Sequence, residues 1–241
     1  MGYPTNLTFG IATVPQQQPL GLYPLPDPFH TSANSGLDVY TYSNDFTDLG
    51  NVASRVITGT SSTFALTDGI GGYGLLTPGG TTTATTCYRY AASFQLTANQ
   101  DFWYLNRIKA SAVTGNQVVQ FGLIKSSGGT SSTTDSLLFV KAAGSTSLNL
   151  VSTVGSTATT LVTGITTMAN DTFVDVGFYF NGADLLVYSS DALVARVTAP
   201  TIGASGTTLT NALMTTMFGI TPVATETLTI DYEFSAMETT R

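Results

Sequence analysis

The chain has 241 residues, of which 42% are hydrophobic and only 10% charged, with a formal net charge of −7. That is enough apolar sequence for one sizeable core, whereas eight scattered basic residues exclude a phosphate-binding surface. A single cysteine and a single histidine exclude an internal disulfide and a histidine metal cluster.

Residues 1–36 come first, and they differ from the rest. Six of the nine prolines (Pro4, Pro15, Pro19, Pro24, Pro26 and Pro28) fall in the first 28 residues. Proline fixes φ and lacks an amide donor, so the stretch predicts an extended arm that cannot join a central strand. Its apolar residues are too frequent for a solvated linker, and Leu20, Leu22, Tyr23, Leu25 and Phe29 are expected to anchor the arm on a partner surface. The competing expectation is that the arm folds back on its own body. The first residues lack the basic start and apolar stretch of a secretion signal, and no run approaches the ~20 apolar residues of a membrane helix. Synthesis in the host cytoplasm, with no membrane partner, is the expectation.

From residue 37 onward the period is close to two, which predicts strands. In chain order they are Leu37 to Tyr42, Val52 to Ile57, Tyr88 to Leu96, Trp103 to Lys109, Val118 to Lys125, Leu137 to Ala142, Leu148 to Ser152, Phe173 to Phe180, Leu185 to Tyr188, Leu193 to Val197, Leu213 to Ile220 and Leu228 to Ala236. Helical periodicity is confined to a turn near Thr97 to Asp101. The run Ser126 to Thr134 reads as a low-complexity surface loop. Asn181-Gly182-Ala183-Asp184 reads as the turn of a hairpin. In the last strand Leu228, Ile230, Tyr232, Phe234 and Ala236 are expected on one face, with Thr229, Asp231, Glu233 and Ser235 on the other. The prediction is all-β: a two-sheet antiparallel jelly-roll sandwich over 37–241, carrying the extended arm 1–36.

Several residues invite chemistry. Gly69-Ile-Gly-Gly-Tyr-Gly74 matches a dinucleotide fingerprint by letter, but Leu75-Leu-Thr-Pro-Gly-Gly80 follows in place of the helix that such a loop needs, so it reads as a glycine-rich turn. Cys87 sits in a strand and reads as a packed residue. His30 lies in the arm, a poor support for a catalytic triad. Asp175, Asp184 or Asp191, together with loop carbonyls, are the candidates to hold calcium, but the sequence has no EF-hand loop spacing. Trp103, Tyr104, Tyr73, Tyr179 and Tyr188 are the aromatics available to a sugar, but Trp103 and most of the tyrosines are expected to be core or interface residues; Tyr179, on the polar side of its strand, is the exception. In Asp231-Tyr-Glu233-Phe-Ser-Ala-Met-Glu238, Asp231 and Glu233 share a strand face as a glycosidase's acid pair would, but the run begins with Asp and spaces its last acid unlike the laminarinase-like pattern, so solvated strand-face residues are the expectation.

The stretch from about Tyr88 to Glu238 resembles the concanavalin-like, laminin-G-like jelly roll. The resemblance is carried by Trp103-Tyr-Leu-Asn-Arg-Ile-Lys109, Val118-Val-Gln-Phe-Gly-Leu-Ile-Lys125, Ser136-Leu-Leu-Phe-Val-Lys141, the Phe173 to Tyr188 hairpin and Leu228-Thr-Ile-Asp-Tyr-Glu-Phe234. With the proline-rich arm, the Thr/Ser/Gly-rich body and the lack of a cysteine framework, the layout resembles tailed-phage virion structural proteins, most of all the capsid cement or decoration proteins. That resemblance implies a homotrimer on the outer capsid surface, bound to the major capsid protein by its arms; with the residue readings above, no enzymatic activity, cofactor, metal or nucleic acid is expected. The alternative is a tail-associated or fibre-type receptor binder that takes a glycan.

Overall fold

A computed structural model describes residues 38–46, 55–69, 72–82, 84–89, 93–127, 130–198 and 213–239. The arm lies outside the described residues, and with it Leu20, Leu22, Tyr23, Leu25, Phe29 and His30. The described strands are β1 (Asp38–Asn44), β2 (Arg55–Thr58), β3 (Thr63–Thr67), β4 (Tyr73–Thr77), β5 (Thr85–Arg89), β6 (Asp101–Ala110), β7 (Val118–Ser127) and β8 (Thr130–Lys141). They continue with β9 (Ser147–Val154), β10 (Thr157–Thr167), β11 (Val174–Asn181), β12 (Asp184–Ser189), β13 (Ala192–Thr198), β14 (Met214–Thr221) and β15 (Leu228–Thr239).

All pairings are antiparallel, and they form two sheets. Sheet A runs β13-β12-β11-β6-β15-β4-β3, with β1 also on β15; sheet B runs β10-β9-β8-β7-β14-β5-β2. The predicted two-sheet sandwich is therefore the observed one. Each strand sends alternate side chains between the sheets. Phe102, Tyr104 and Phe178 of sheet A meet Phe121 and Phe139 of sheet B there, with ring centroids 5.2–6.3 Å apart in the pairs Phe102–Phe178, Tyr104–Phe178, Tyr104–Phe139 and Phe121–Phe139. Full burial of these rings supplies the largest apolar areas in the core.

The strand expected at Tyr88 to Leu96 is instead β5, which ends at Arg89, with an isolated bridge at Phe94. β3 (TFALT), β4 (YGLLT) and β10 (TATTLVTGITT) are not anticipated, β10 because its many threonines imitate a loop. Thr is also a good strand former. The same composition explains the run Ser126 to Thr134. Instead of a loop, its backbone lengthens the β7–β8 hairpin, pairing Lys125 with Ser132 and Ser127 with Thr130 beyond an irregularity at Ile124.

One departure reorganises the molecule. β15 pairs Ile230 with Ile108 and then Tyr232 with Arg107, so Asp231 is an extra residue in a β-bulge. An inserted residue reverses which side chains face which way. Leu228 and Ile230 point into the core as expected, but beyond the bulge Glu233 and Ser235 point inward and are fully buried, while Tyr232 and Phe234 turn out. The expected single apolar face of this strand is thus corrected. Glu233 is met in the interior by Arg55 of β2, and both side chains are fully buried. The Arg55 guanidinium lies 5.4 Å from each of the Phe46, Phe64 and Phe218 ring centroids.

Candidate functional site

The chemistry-bearing side chains gather on the outer face of sheet A, and the register sets them in rows across the strands. Asn181 stands opposite Asp101, Tyr179 opposite Trp103, Gly177 opposite Leu105, and Asp175 opposite Arg107. β15 continues the rows with Ala236 beside Trp103, Phe234 beside Leu105 and Tyr232 beside Arg107. β12 adds Leu186 beside Tyr179 and Tyr188 beside Gly177. Only the bulge brings Tyr232 and Phe234 to this surface.

At one end of the face, Trp103 and Tyr179 pack with ring centroids 5.3 Å apart. Trp103 is 4% exposed and Tyr179 half-buried, so the tryptophan backs a tyrosine that keeps one side toward solvent. The Tyr179 hydroxyl hydrogen-bonds to the Asp101 carboxyl. The Asp101 backbone N–H donates to Glu238 Oε2 at 3.0 Å, which ties the two carboxyls to one corner. Burial pushes the Asp101 carboxyl up to about 6; the Tyr179 hydrogen bond opposes the shift and the neighbouring Glu238 adds to it. The corner is held by the β11–β12 turn, where Asn181 Oδ1 accepts from the N–H groups of Ala183 and Asp184. Gly182, at φ +78°, lets that turn sit on Asn99, whose N–H donates to the Gly182 carbonyl; a Cβ at Gly182 would lie 2.4 Å from the Asn99 backbone.

The other end is aromatic and carries paired charges. Arg107 donates to Asp231 Oδ2 at 2.9 Å, and the Tyr232 hydroxyl donates to Asp175 Oδ1 at 3.0 Å. Phe173 receives Arg107 and Lys109 at 4.8 and 5.0 Å from its centroid and packs on Tyr73 at 5.5 Å. Burial and the adjoining Asp175 hold the Tyr232 phenol well above its usual range.

The outer face of sheet B is different. A groove of about 470 Å³ crosses β7, β8 and β9, lined by Gln120, Ser136, Leu138, Val140, Val151 and Thr153. Beside it Tyr88, Ile124, Leu138 and Met217 form an apolar cluster.

The candidates from the sequence fall as follows. Trp103, Tyr179 and Tyr188 share the outer face of sheet A, and Tyr73 borders it, but Tyr104 points into the core. Asp231 and Glu233 do not form a carboxyl pair: the bulge leaves Asp231 with Arg107 and sends Glu233 inside. Cys87 is fully buried, and burial pushes its thiol up to about 11. Gly72 N–H donates to the Gly69 carbonyl at 3.1 Å, and strand β4, not a helix, follows from Tyr73. Asp184 pairs with Arg196, and among the described residues no three acidic, histidine or cysteine side chains gather as metal ligands do. Glu238 closes the acidic run read from the sequence, but Asp101 is not anticipated as its neighbour; its only signal is that it opens a strong strand.

No family model matches this chain, and no curated protein matches it. Solved structures do. An endo-1,3-beta-glucanase from Streptomyces sioyaensis superposes with a TM-score of 0.58 at 12% identity, over 86% of this chain and 98% of that one. The carbohydrate recognition domain of Emp46p gives 0.58 at 11%, over 80% and 95%. A carbohydrate esterase from the Shiga toxin-encoding bacteriophage phi24B gives 0.52 at 14%, over 84% and 100%. At such identities the likeness shows the fold, a jelly roll shared with carbohydrate-recognising proteins, one of them phage-encoded. It also corrects the expectation that the chain is no enzyme: a sandwich shared with a glucanase and an esterase is one on which carbohydrate-active enzymes are built, so the architecture gives no ground for that exclusion.

Proposed function

We propose that the chain is a virion structural protein of a tailed phage that recognises a glycan through the Tyr179 corner of sheet A. One observation carries the reading: a partly exposed tyrosine packed at a tilt against a buried tryptophan, with the Asp101 and Glu238 carboxyls beside it. An aromatic face receives the C–H face of a sugar ring, and flanking carboxylates and amides accept or donate to its hydroxyls. The buried Trp103 keeps Tyr179 preorganised, which lowers the ordering cost of binding. A glycan array is the direct test. Binding that Tyr179→Ala abolishes supports the reading; undiminished binding by Tyr179→Ala, or no glycan bound by the native chain, overturns it.

A second reading, capsid cement, is favoured by the charge-poor composition and the proline-rich segment 1–36. In it a homotrimer sits on the outer capsid, the arm adds a strand to the major capsid protein, and Leu20, Leu22, Tyr23, Leu25 and Phe29 fill apolar pockets. Three arms acting together multiply weak contacts. Deleting residues 1–36 is expected to leave a folded body that no longer decorates capsids; full decoration by the truncated chain sinks this reading. Immunogold labelling of the particle separates the two, since heads label in one case and tails in the other.

A further inference from the structure

We propose that the interior of the sandwich contains a hydration site, built by Arg55, Tyr104, Asn106, Glu233 and Ser235, whose ligand is a small cluster of ordered water. The inference is independent of any glycan. Across β6 and β15 the register sets Asn106 beside Glu233 and Tyr104 beside Ser235, and Arg55 crosses from sheet B to hydrogen-bond Glu233 Oε2. Tyr104, Asn106, Glu233 and Ser235 are at most 1% exposed and Arg55 8%.

Seven polar atoms of these five side chains lack a well-formed hydrogen bond within the protein: Arg55 Nε and Nη1, Tyr104 Oη, Asn106 Oδ1 and Nδ2, Glu233 Oε1 and Ser235 Oγ. The Tyr104 hydroxyl is within reach of the Asn106 side chain and the Arg55 guanidinium within reach of the Cys87 thiol, which leaves Glu233 Oε1 and Ser235 Oγ as the barest of the set. Buried polar groups are rarely left bare. Each one left dry would cost a large share of the stability of a domain. The Phe46, Phe64 and Phe218 rings around the guanidinium can face the Arg55 N–H groups, but they offer nothing to the Glu233, Asn106, Tyr104 and Ser235 atoms.

The chemistry selects the ligand. Arg55 and Glu233 cancel in charge, so the site has no net charge to hold an ion. Donors (Arg55, Asn106 Nδ2), acceptors (Glu233, Asn106 Oδ1) and groups that do both (Tyr104, Ser235) are mixed, which matches water, itself both donor and acceptor. At about three bonds per buried water, seven groups call for roughly two or three molecules. A recess of about 280 Å³ at the β1–β15 junction, lined by Ser43, Asn44, Asp45, Tyr232, Glu233 and Phe234, reaches the site at Glu233.

The test uses the full chain. A crystal structure at a resolution that shows ordered solvent is expected to place two or more waters within ~2.7–3.2 Å of the named atoms. In solution, the Asn106 side-chain amide is expected to show water cross-peaks with the sign of slowly exchanging water. Ser235→Ala and Asn106→Leu should each remove at least one solvent site; Ser235→Ala, the smaller change, decides the matter if Asn106→Leu does not fold. An interior without solvent density, side chains that pair with one another instead, or a Ser235→Ala variant with every water in place would overturn the proposal.

Discussion

The two outer faces of the sandwich arise from the same strand rule and end with opposite character. On sheet B, alternation continues unbroken through the centre of β7 and β14, and Gly122 and Gly219 leave the middle of the face without side chains. The result is an aliphatic floor with a hydroxyl and amide rim around a groove. On sheet A, one inserted residue in β15 reverses the alternation, and aromatic rings reach the outside while a carboxylate goes into the core. The lesson is that composition along a strand does not decide a face; the count of residues between pairing partners does.

The sharpest way to break this contrast is at the residue that the bulge sends inside. Glu233→Ala leaves Arg55 charged, buried and unpaired, and is expected to cost about 3–5 kcal/mol in urea unfolding. The double change Arg55→Met with Glu233→Leu should recover most of that loss, since an apolar pair has no charge to desolvate. A double variant as unstable as the single one would show that the reversed register, and not the ion pair, carries the cost.

The sheet B counterpart is Gly122→Ala. Gly122 has φ +147°, and a Cβ there would lie 2.3 Å from the Leu137 carbonyl oxygen. A loss of about 1–3 kcal/mol is expected, read as a lower urea midpoint with the slope unchanged.

A smaller effect belongs to the sheet A corner. Asp101 holds its proton up to about 6 when folded, above its unfolded value near 3.9. Its contribution to stability is therefore full below pH ~4 and is lost as pH rises through about 6. With screening of this partly exposed group discounted, roughly 1 kcal/mol should disappear across that window, and Asp101→Asn should flatten the slope. A glycan held by the ionised corner would show the reverse trend in affinity, which separates the stability effect from the binding one.

The smallest effect is expected at the exposed rim. Arg196 is 43% exposed in its pair with Asp184, so Arg196→Ala should change the urea unfolding free energy by less than about 1 kcal/mol. A larger loss would mean that β13, the edge strand of sheet A, depends on that pair.

Much of this was legible in the residues. Alternation located most of the strands, the Asn181-Gly182 turn announced the β11–β12 hairpin, and the polar-side position of Tyr179 marked it as outward. Other features were hidden because they depend on pairing. Thr-rich β10 and the 126–134 extension look like loops until a neighbouring strand takes up their backbone hydrogen bonds. Asp101 and Glu238 lie 137 residues apart, and no local pattern links them.

By itself, then, the sequence determined an all-β sandwich without an internal disulfide, because period-two alternation and a lone cysteine are local properties that any fold of this chain must honour. Tertiary structure alone decided that Asp231 is an extra residue, that Glu233 meets Arg55 inside while Tyr232 faces out, and that Trp103, Tyr179, Asp101 and Glu238 share one corner. The physical reason is that a strand's parity is defined only against its partners, and a single unpaired residue exchanges inside for outside along everything that follows.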